Sequence, residues 1–196
     1  GNFYNSMLIV DNNFKIIQNY NKRKLVPFGE FLPLENFLNN FGFKKITEGH
    51  GSFIMGDKSN NLSIEKINFL PLICYEVIFP NLVSLQGRPD IIINLTNDAW
   101  FGSSHGPHQH FQMARYRALE LQKQLIRGAN NGITAIVDFR GRITADLPQF
   151  DQATLLGTVT PRTGSTPYAR SGSLPIVSIS LFFLVFISIK AKRQKR

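Results

Sequence analysis

Cys74 is the only cysteine of this chain, and it follows an apolar run over residues 68–73 and precedes Tyr75 and Glu76. A thiol becomes a strong nucleophile as the thiolate, which needs a neighbouring positive charge, a helix N-terminus or a base. The backbone N–H of Tyr75 directly follows the thiol and is placed where an oxyanion needs a donor. Nucleophilic catalysis is therefore the chemistry to test, and an inert buried cysteine is the alternative.

Lys22 and Glu30 stand at the two ends of a loop in which Pro27 and Gly29 interrupt any regular strand or helix. A lysine near a carboxylate can stabilise a thiolate and an oxyanion. Spacing along the chain does not establish that either residue contacts Cys74. We therefore treat these residues, together with Glu76, as one candidate constellation.

Three histidines, His105, His108 and His110, fall within six residues. Gly106 and Pro107 interrupt the segment, and no helical His pair with a Glu accompanies it, so we expect neither a metal nor another cofactor. His108 and His110 are expected in the first turn of a helix, where they cap it, pack, or line the site. A single cysteine also excludes an internal disulfide.

The elements that position Cys74 are two short apolar runs, residues 67–74 and 90–95, which read as buried strands. Residues 77–86 between them fit a short crossover helix, and strands joined in this way favour an α/β sheet. Reactive groups collect at the carboxyl ends of such strands. Cys74 and the loop over residues 96–102, which contains Trp100, share that position.

Before this unit, residues 6–19 read as a β-hairpin. An apolar stripe then predicts a short helix that ends at Gly42 and that packs on the core or serves as a lid or membrane-facing arm; its members are Leu34, Phe37, Leu38 and Phe41. Residues 44–62 have no periodicity and are expected to form a long loop.

After this unit, residues 107–127 contain no internal Pro or Gly and carry a helical apolar spacing that Gly128 ends. A second hairpin is predicted from residues 133–138 and 143–147, and one further strand from residues 153–159.

Residues 171–189 are uncharged and rich in Ile, Val, Leu and Phe. As a helix they would span about 28 Å, against about 30 Å for a bilayer core, so we expect a transmembrane helix rather than a buried one. Five basic residues in the last seven account for much of the net charge of +9 and would hold that end in the cytoplasm. We see no basic face with interleaved aromatic residues, so we expect no nucleic-acid partner.

Seven ordered segments carry a resemblance: YNK at 20–22 with LVPFGE at 25–30, ICYE at 73–76, NDAWFG at 97–102, HFQMAR at 110–115, RALE at 117–120, NNGITA at 130–135 and TPYAR at 166–170. Together they resemble the apolipoprotein N-acyltransferases, bacterial membrane enzymes of the nitrilase superfamily. The resemblance implies an αββα sandwich and a Glu-Lys-Cys triad. It also implies a phospholipid acyl donor and, as acceptor, the N-terminal amine of a diacylglyceryl-cysteine apolipoprotein.

By the same resemblance, Cys74 would form a thioester, Lys22 would stabilise the tetrahedral intermediate, and Glu30 would hold that lysine. Tyr75, Glu76 and Trp100 would line or support the pocket. The implied organisation is a partial catalytic domain over residues 1–170, a transmembrane helix over 171–189 and a basic cytoplasmic tail over 190–196. The catalytic domain would face the periplasm from the bacterial inner membrane.

The family's general-base glutamate precedes the lysine motif, and we find no counterpart for it in this sequence. We therefore expect an upstream segment or another chain to supply it, and the isolated chain to be catalytically incomplete. Two alternatives stay open, namely a soluble nitrilase-like amidase and a membrane-anchored fragment that only binds lipid or a partner.

Overall fold

A mixed six-stranded sheet is the centre of the computed structural model, which describes residues 3–34, 37, 52–57, 61–84 and 89–194. Short 3₁₀ turns follow two of its strands, at Cys74–Ile78 and at Asp98–Phe101. In chain order the other elements are β1 (Ser6–Val10), β2 (Ile16–Asn21), β3 (Leu62–Ile64), β4 (Ile67–Ile73), α1 (Pro80–Ser84), β5 (Ile91–Asn97), α2 (Gly106–Leu121), β6 (Gln124–Asn130), β7 (Thr134–Val137), β8 (Ile143–Leu147), α3 (Pro167–Ser171) and α4 (Leu174–Gln194).

The strands of the large sheet lie in the order β3-β4-β5-β6-β7-β8. The three central strands, β4, β5 and β6, are parallel, and the outer pairs are antiparallel. Parallel strands place their carboxyl ends at one edge. That edge therefore collects the residues that follow Ile73, Asn97 and Asn130.

The two faces of this sheet are covered by different layers because side chains alternate along each strand. Leu70 and Leu72 of β4 join the core cluster that includes Phe111 of α2. Phe69 and Ile73 face the opposite way and pack with Tyr20 of the β1–β2 hairpin. Helix, large sheet and small sheet thus stack in α-β-β order, as expected for part of an αββα sandwich.

The predicted hairpin over residues 6–19 is confirmed by β1 and β2, which pair antiparallel. The predicted strands at 67–74 and 90–95 correspond to β4 and β5, and the second hairpin corresponds to β7 and β8. The described part of the crossover helix predicted over 77–86, residues 77–84, contains the end of a 3₁₀ turn and then α1, which begins at Pro80, and residues 85–86 lie outside the described residues. Proline fits the first helical turn because that position needs no N–H donor.

The predicted helix over residues 107–127 is wrong at its end. Helix α2 stops at Leu121, and residues 124–130 form strand β6. Gln122 adopts a left-handed conformation, with φ 53°, and its N–H caps the last carbonyls of the helix. Leu121 and Leu125 have helical spacing, but the first packs from the helix and the second from the strand into the same core.

The predicted strand over residues 153–159 is also wrong, because this segment has no regular secondary structure. The side chain of Gln124 takes the role of a neighbouring strand. It donates to the carbonyl of Thr158 at 2.9 Å and accepts from the N–H of Thr160 at 2.5 Å. The predicted helix from Leu34 to Phe41 lies mostly outside the described residues, as does most of the loop at 44–62.

Helix α4 carries the apolar segment predicted at 171–189 and begins three residues later, at Leu174. Gly172, with φ 55°, ends α3 and turns the chain into α4. Within α4, residues Leu174–Ala191 are long and apolar enough to cross a membrane, and none of this stretch is buried against the rest of the protein. A core helix would hide one face, so complete exposure fits a lipid-facing helix.

Candidate active site

Cys74 lies immediately after the last residue of β4 and opens the 3₁₀ turn Cys74–Ile78. Its φ is 50°, in the left-handed region that costs a non-glycine residue about 1–2 kcal/mol. The side chain is a free, half-buried thiol. Strain of this kind persists only where the surroundings fix the backbone, and it is common at functional sites.

Glu76 fixes the backbone on the amino-terminal side of this turn. Its buried carboxylate accepts from the backbone N–H groups of Ile73, Arg23 and Lys24 at 2.7, 2.7 and 3.0 Å. The hydroxyl of Tyr20 lies 3.0 Å from both carboxylate oxygens. Burial raises the pKa of Glu76, although the backbone donors oppose this shift. Glu76 thereby joins the end of β2 to the turn that carries the thiol.

Lys22 follows β2 and is only 1% exposed. Its Nζ donates to Oε1 and Oε2 of Glu30 at 2.8 and 2.7 Å. The carboxylate of Glu30 also accepts from the side chain of Asn5 and from the N–H of Val26, both at 2.8 Å. The structure therefore forms the predicted pair of Lys22 and Glu30. The bonds of Glu76 to Arg23 and Lys24 join the segment that follows Lys22 to the thiol turn.

A second buried cluster lies on the helix side of the sheet, and the sequence analysis did not identify it as a unit. Arg127 Nη2 donates to Asp98 Oδ2 at 2.6 Å, and Nη1 donates to Asn94. Asp98 Oδ1 lies 2.8 Å from His110 Nδ1, and His110 Nε2 lies 3.2 Å from the carbonyl oxygen of Cys74. A continuous chain of polar contacts thus runs from a buried arginine to the backbone of the thiol residue.

The charges in this second cluster are mutually supporting. Burial alone would raise the pKa of Asp98, but the hydrogen bond from His110 and the charge of Arg127 outweigh it and lower the pKa. Burial lowers the pKa of Arg127, while Asp98 and Cys74 act in the opposite direction. Cys74 is therefore within electrostatic range of a buried guanidinium.

The remaining predicted site residues lie at the same edge of the sheet. Tyr75 is half-buried in the 3₁₀ turn, and its ring meets Phe79 edge-on with centroids 5.4 Å apart. Trp100 lies in the turn after β5 and is 61% exposed, so its indole faces solvent rather than the core. His105 and His108 are exposed, whereas His110 is buried.

Two signals in the sequence could have revealed the second cluster. Asn94 and Arg127 are polar residues inside otherwise apolar strands, where a buried polar group must have a partner. In the structure, Gly132 packs against the same cluster, because a Cβ there would lie 2.4 Å from Asp98 Oδ2. Because the predicted helix extended to Arg127, the contact of Arg127 with Asp98 was not predicted.

Chemically, this edge presents a free thiol on a strained turn, a lysine–carboxylate pair and a buried guanidinium. Such surroundings suit covalent catalysis, in which a thiolate attacks a carbonyl and the enzyme holds the acyl group as a thioester. The individual roles of Cys74, Lys22, Glu30, Tyr75, Glu76 and Trp100 stay predictions.

Residues 1–168 match the carbon-nitrogen hydrolase family. The chain is 40% identical over 191 residues to an apolipoprotein N-acyltransferase of Rhodopseudomonas palustris, covering 96% of this chain and 36% of that protein. It is 45% identical over 175 residues to one of Haemophilus influenzae, covering 88% of this chain and 33% of the relative. The chain thus spans about a third of the length of these relatives.

Solved structures share the fold at lower identity. Nit3 of Saccharomyces cerevisiae, a member of the nitrilase superfamily, aligns with a TM-score of 0.54 and 22% identity over 76% of this chain and 51% of that one. A carbon-nitrogen hydrolase of Helicobacter pylori aligns with a TM-score of 0.53 and 14% identity over 75% of this chain and 53% of that one. The expected αββα fold class and the resemblance seen in the motifs are confirmed. This chain belongs to the carbon-nitrogen hydrolase family.

Proposed function

We propose that this chain is the thiol-bearing part of an apolipoprotein N-acyltransferase. Cys74 would take a fatty acyl group from a phospholipid and pass it to the N-terminal amine of a diacylglyceryl-cysteine apolipoprotein. The observation that carries this proposal is the thiol on a strained turn at the end of β4, in a chain that also bears a fully exposed apolar helix. The names of the curated relatives support the same reaction.

In the first half-reaction, the Cys74 thiolate attacks the ester carbonyl of the phospholipid. A C–S bond forms, the ester C–O bond breaks, and a lysophospholipid leaves with the electron pair and a proton. In the second half-reaction, the acceptor amine attacks the thioester, a C–N bond forms, the C–S bond breaks, and the thiolate leaves while the amine gives up a proton to the base that serves the thiol. Lys22, held by Glu30, and the N–H of Tyr75 would stabilise the oxyanion in both steps.

The proton of the thiol needs an acceptor. Among the described residues, Glu30 is occupied by Lys22 and Glu76 is occupied by backbone donors. We assign the acceptor to a glutamate from a further segment of the enzyme or from another chain. Such a base contributes typically about 10²–10⁴-fold to the rate. Trp100 and Tyr75 would line the acyl pocket, with Glu76 supporting the turn.

Residues 1–170 would form the catalytic unit, 171–189 the membrane anchor and 190–196 a basic cytoplasmic tail. Exposure of the whole apolar stretch of α4 supports the anchor. The basic end supports an orientation that places the catalytic unit in the periplasm of a bacterial inner membrane.

The test is to incubate the membrane-embedded protein, together with the segment or chain that supplies the glutamate, with an acyl-labelled phospholipid and to examine Cys74 by mass spectrometry. We expect an acyl adduct on Cys74 that a diacylglyceryl-cysteine peptide discharges, and no adduct in Cys74→Ala. An equal adduct in Cys74→Ala would contradict the proposal. Release of ammonia from small amides without any acyl adduct would instead identify an amidase.

A further inference from the structure

The peptide unit between Cys74 and Tyr75 is held from the helix side of the sheet. Buried His110 of α2 places Nε2 3.2 Å from the carbonyl oxygen of Cys74. A carbonyl oxygen only accepts, so Nε2–H donates this hydrogen bond, as Nδ1–H donates the one to the carboxylate of Asp98. The carbonyl of Cys74 therefore points towards α2.

The direction of this carbonyl fixes the direction of the next N–H. The carbonyl of Cys74 and the N–H of Tyr75 belong to one planar unit, and in a trans peptide they point in opposite directions. When the carbonyl points towards α2, the N–H of Tyr75 points away from it. Tyr75 also lies in the first turn of the 3₁₀ helix, where backbone N–H groups have no intrahelical partner.

The backbone just before the thiol residue is held as well, at the peptide unit that joins Leu72 to Ile73. Glu76 Oε2 accepts from the N–H of Ile73 at 2.7 Å. The N–H of Ile73 and the carbonyl of Cys74 are both held by hydrogen bonds. These contacts keep Cys74 at φ 50°, although that conformation is strained. Loss of either contact would let the turn relax and would re-aim the N–H of Tyr75.

We propose that His110 is a positioning residue that aims the N–H of Tyr75 at the oxyanion formed when Cys74 attacks an acyl carbonyl. The inference rests on the proposed role of Cys74 as an acyl-accepting nucleophile. Asp98 holds His110 through Nδ1 at 2.8 Å, and Arg127 holds Asp98 at 2.6 Å. Arg127 Nη2 also lies 3.3 Å from Nδ1, but its shorter contact is with Asp98.

Two reactions of the Cys74 thiol can distinguish a role of His110 in positioning the oxyanion donor from a general role in the fold. Iodoacetamide alkylates a thiolate by displacing iodide, and no oxyanion forms. A p-nitrophenyl acyl ester acylates it through a tetrahedral oxyanion: a C–S bond forms, and p-nitrophenolate leaves with the electrons of the broken C–O bond. Because the chain has one cysteine, a thioether or a thioester on the protein can lie only at Cys74, and Cys74→Ala measures the background from other nucleophiles.

The variants are His110→Leu, which removes the donor, and His110→Gln, which keeps an N–H of similar reach. We expect His110→Leu to slow acylation by about 10–100-fold, because losing an oxyanion donor outright costs about 10²–10³-fold and mis-aiming it costs less. Alkylation should stay at the wild-type rate, and His110→Gln should recover most of the acylation. His108→Leu, at an exposed position of the same helix, should leave both rates unchanged.

Equal losses in both reactions would overturn the proposal, since His110 would then support the thiol or the fold in general. Unchanged acylation in His110→Leu would also overturn it, as would a wild-type thiol that alkylates but is not acylated. If His110→Leu fails to fold, Asp98→Asn replaces it and should lower acylation alone. A wild type that reacts with the ester but not with phospholipid would refute the proposed substrate. The ester reaction would still test the role of His110.

Discussion

Two carboxylates, Glu76 and Asp98, are fully buried on opposite sides of Cys74, and they are stabilised in different ways. Glu76 accepts from three backbone N–H groups and a tyrosine hydroxyl, all of them uncharged. Asp98 is held by Arg127 and His110. The first carboxylate holds the N–H of Ile73, the residue before the thiol, and the second acts through His110 on the carbonyl of Cys74.

The difference appears in the pKa values. Neutral dipoles do not fully offset burial, so the pKa of Glu76 is raised. A guanidinium and an imidazole do offset it, so the pKa of Asp98 is lowered. Glu76 therefore holds the turn through hydrogen bonds to neutral groups. Asp98 instead depends on the charges of Arg127 and His110.

The largest effect should come from breaking the charged side. Arg127→Met removes the guanidinium from its buried ion pair with Asp98, and we expect a loss of about 3–5 kcal/mol in the free energy of unfolding. Urea unfolding in detergent, followed by circular dichroism, measures this loss. The double variant Arg127→Met/Asp98→Asn should recover part of it, and a single variant as stable as the wild type would contradict the assignment.

Breaking the neutral side should cost less. Glu76→Gln replaces one acceptor oxygen with an N–H that faces backbone donors, and we expect a loss of about 1–3 kcal/mol. The same unfolding measurement applies, with Glu65→Gln on the exposed β3–β4 turn as the matched control. If Glu76→Gln and Glu65→Gln unfold alike, Glu76 does not clamp the turn.

The smallest expected effect is on how stability changes with pH, and its sign should differ between Asp98 and Glu76. Asp98 has a lowered folded pKa, so its contribution is present above its unfolded value of about 3.9 and is lost as the pH falls through the folded pKa. Glu76 has a raised pKa, so its contribution is present below about 4.3 and is lost as the pH rises through the folded pKa.

Unfolding midpoints measured from about pH 3 to about pH 8 test this opposition. Asp98→Asn should flatten the loss of stability at the acid end. Glu76→Gln should flatten the decline on the alkaline side of its unfolded pKa. Changes of the same sign in both variants would remove the distinction between the two carboxylates.

Local patterns were sufficient to predict much of the fold from the sequence. Alternating and continuous apolar runs located the hairpins and the two strands that flank the thiol turn. The end of α2 was not predictable in this way, because Gln122 adopts a left-handed cap conformation without being glycine. The segment at 153–159 failed for a related reason, since side-chain bonds from Gln124 replace a backbone ladder.

The candidate site likewise has one contact that the sequence predicted and one that it did not. Motif resemblance predicted the pairing of Lys22 with Glu30, and the structure forms that pair. Periodicity could not place Arg127 next to Asp98, because the contact depends on two parallel strands being in register, with Asn94 opposite Arg127. Long-range pairing of this kind is set by tertiary packing rather than by local sequence.

The clamp at Glu76 also bears on when the thiol acquires its surroundings. Its partners Arg23 and Lys24 lie 53 and 52 positions away along the chain. Contacts between distant residues require closure of a long loop, and topologies dominated by them fold slowly. During folding, the turn that carries Cys74 therefore gains these contacts only when the strands are assembled. The proposed acylation of the thiol would then depend on completion of the fold.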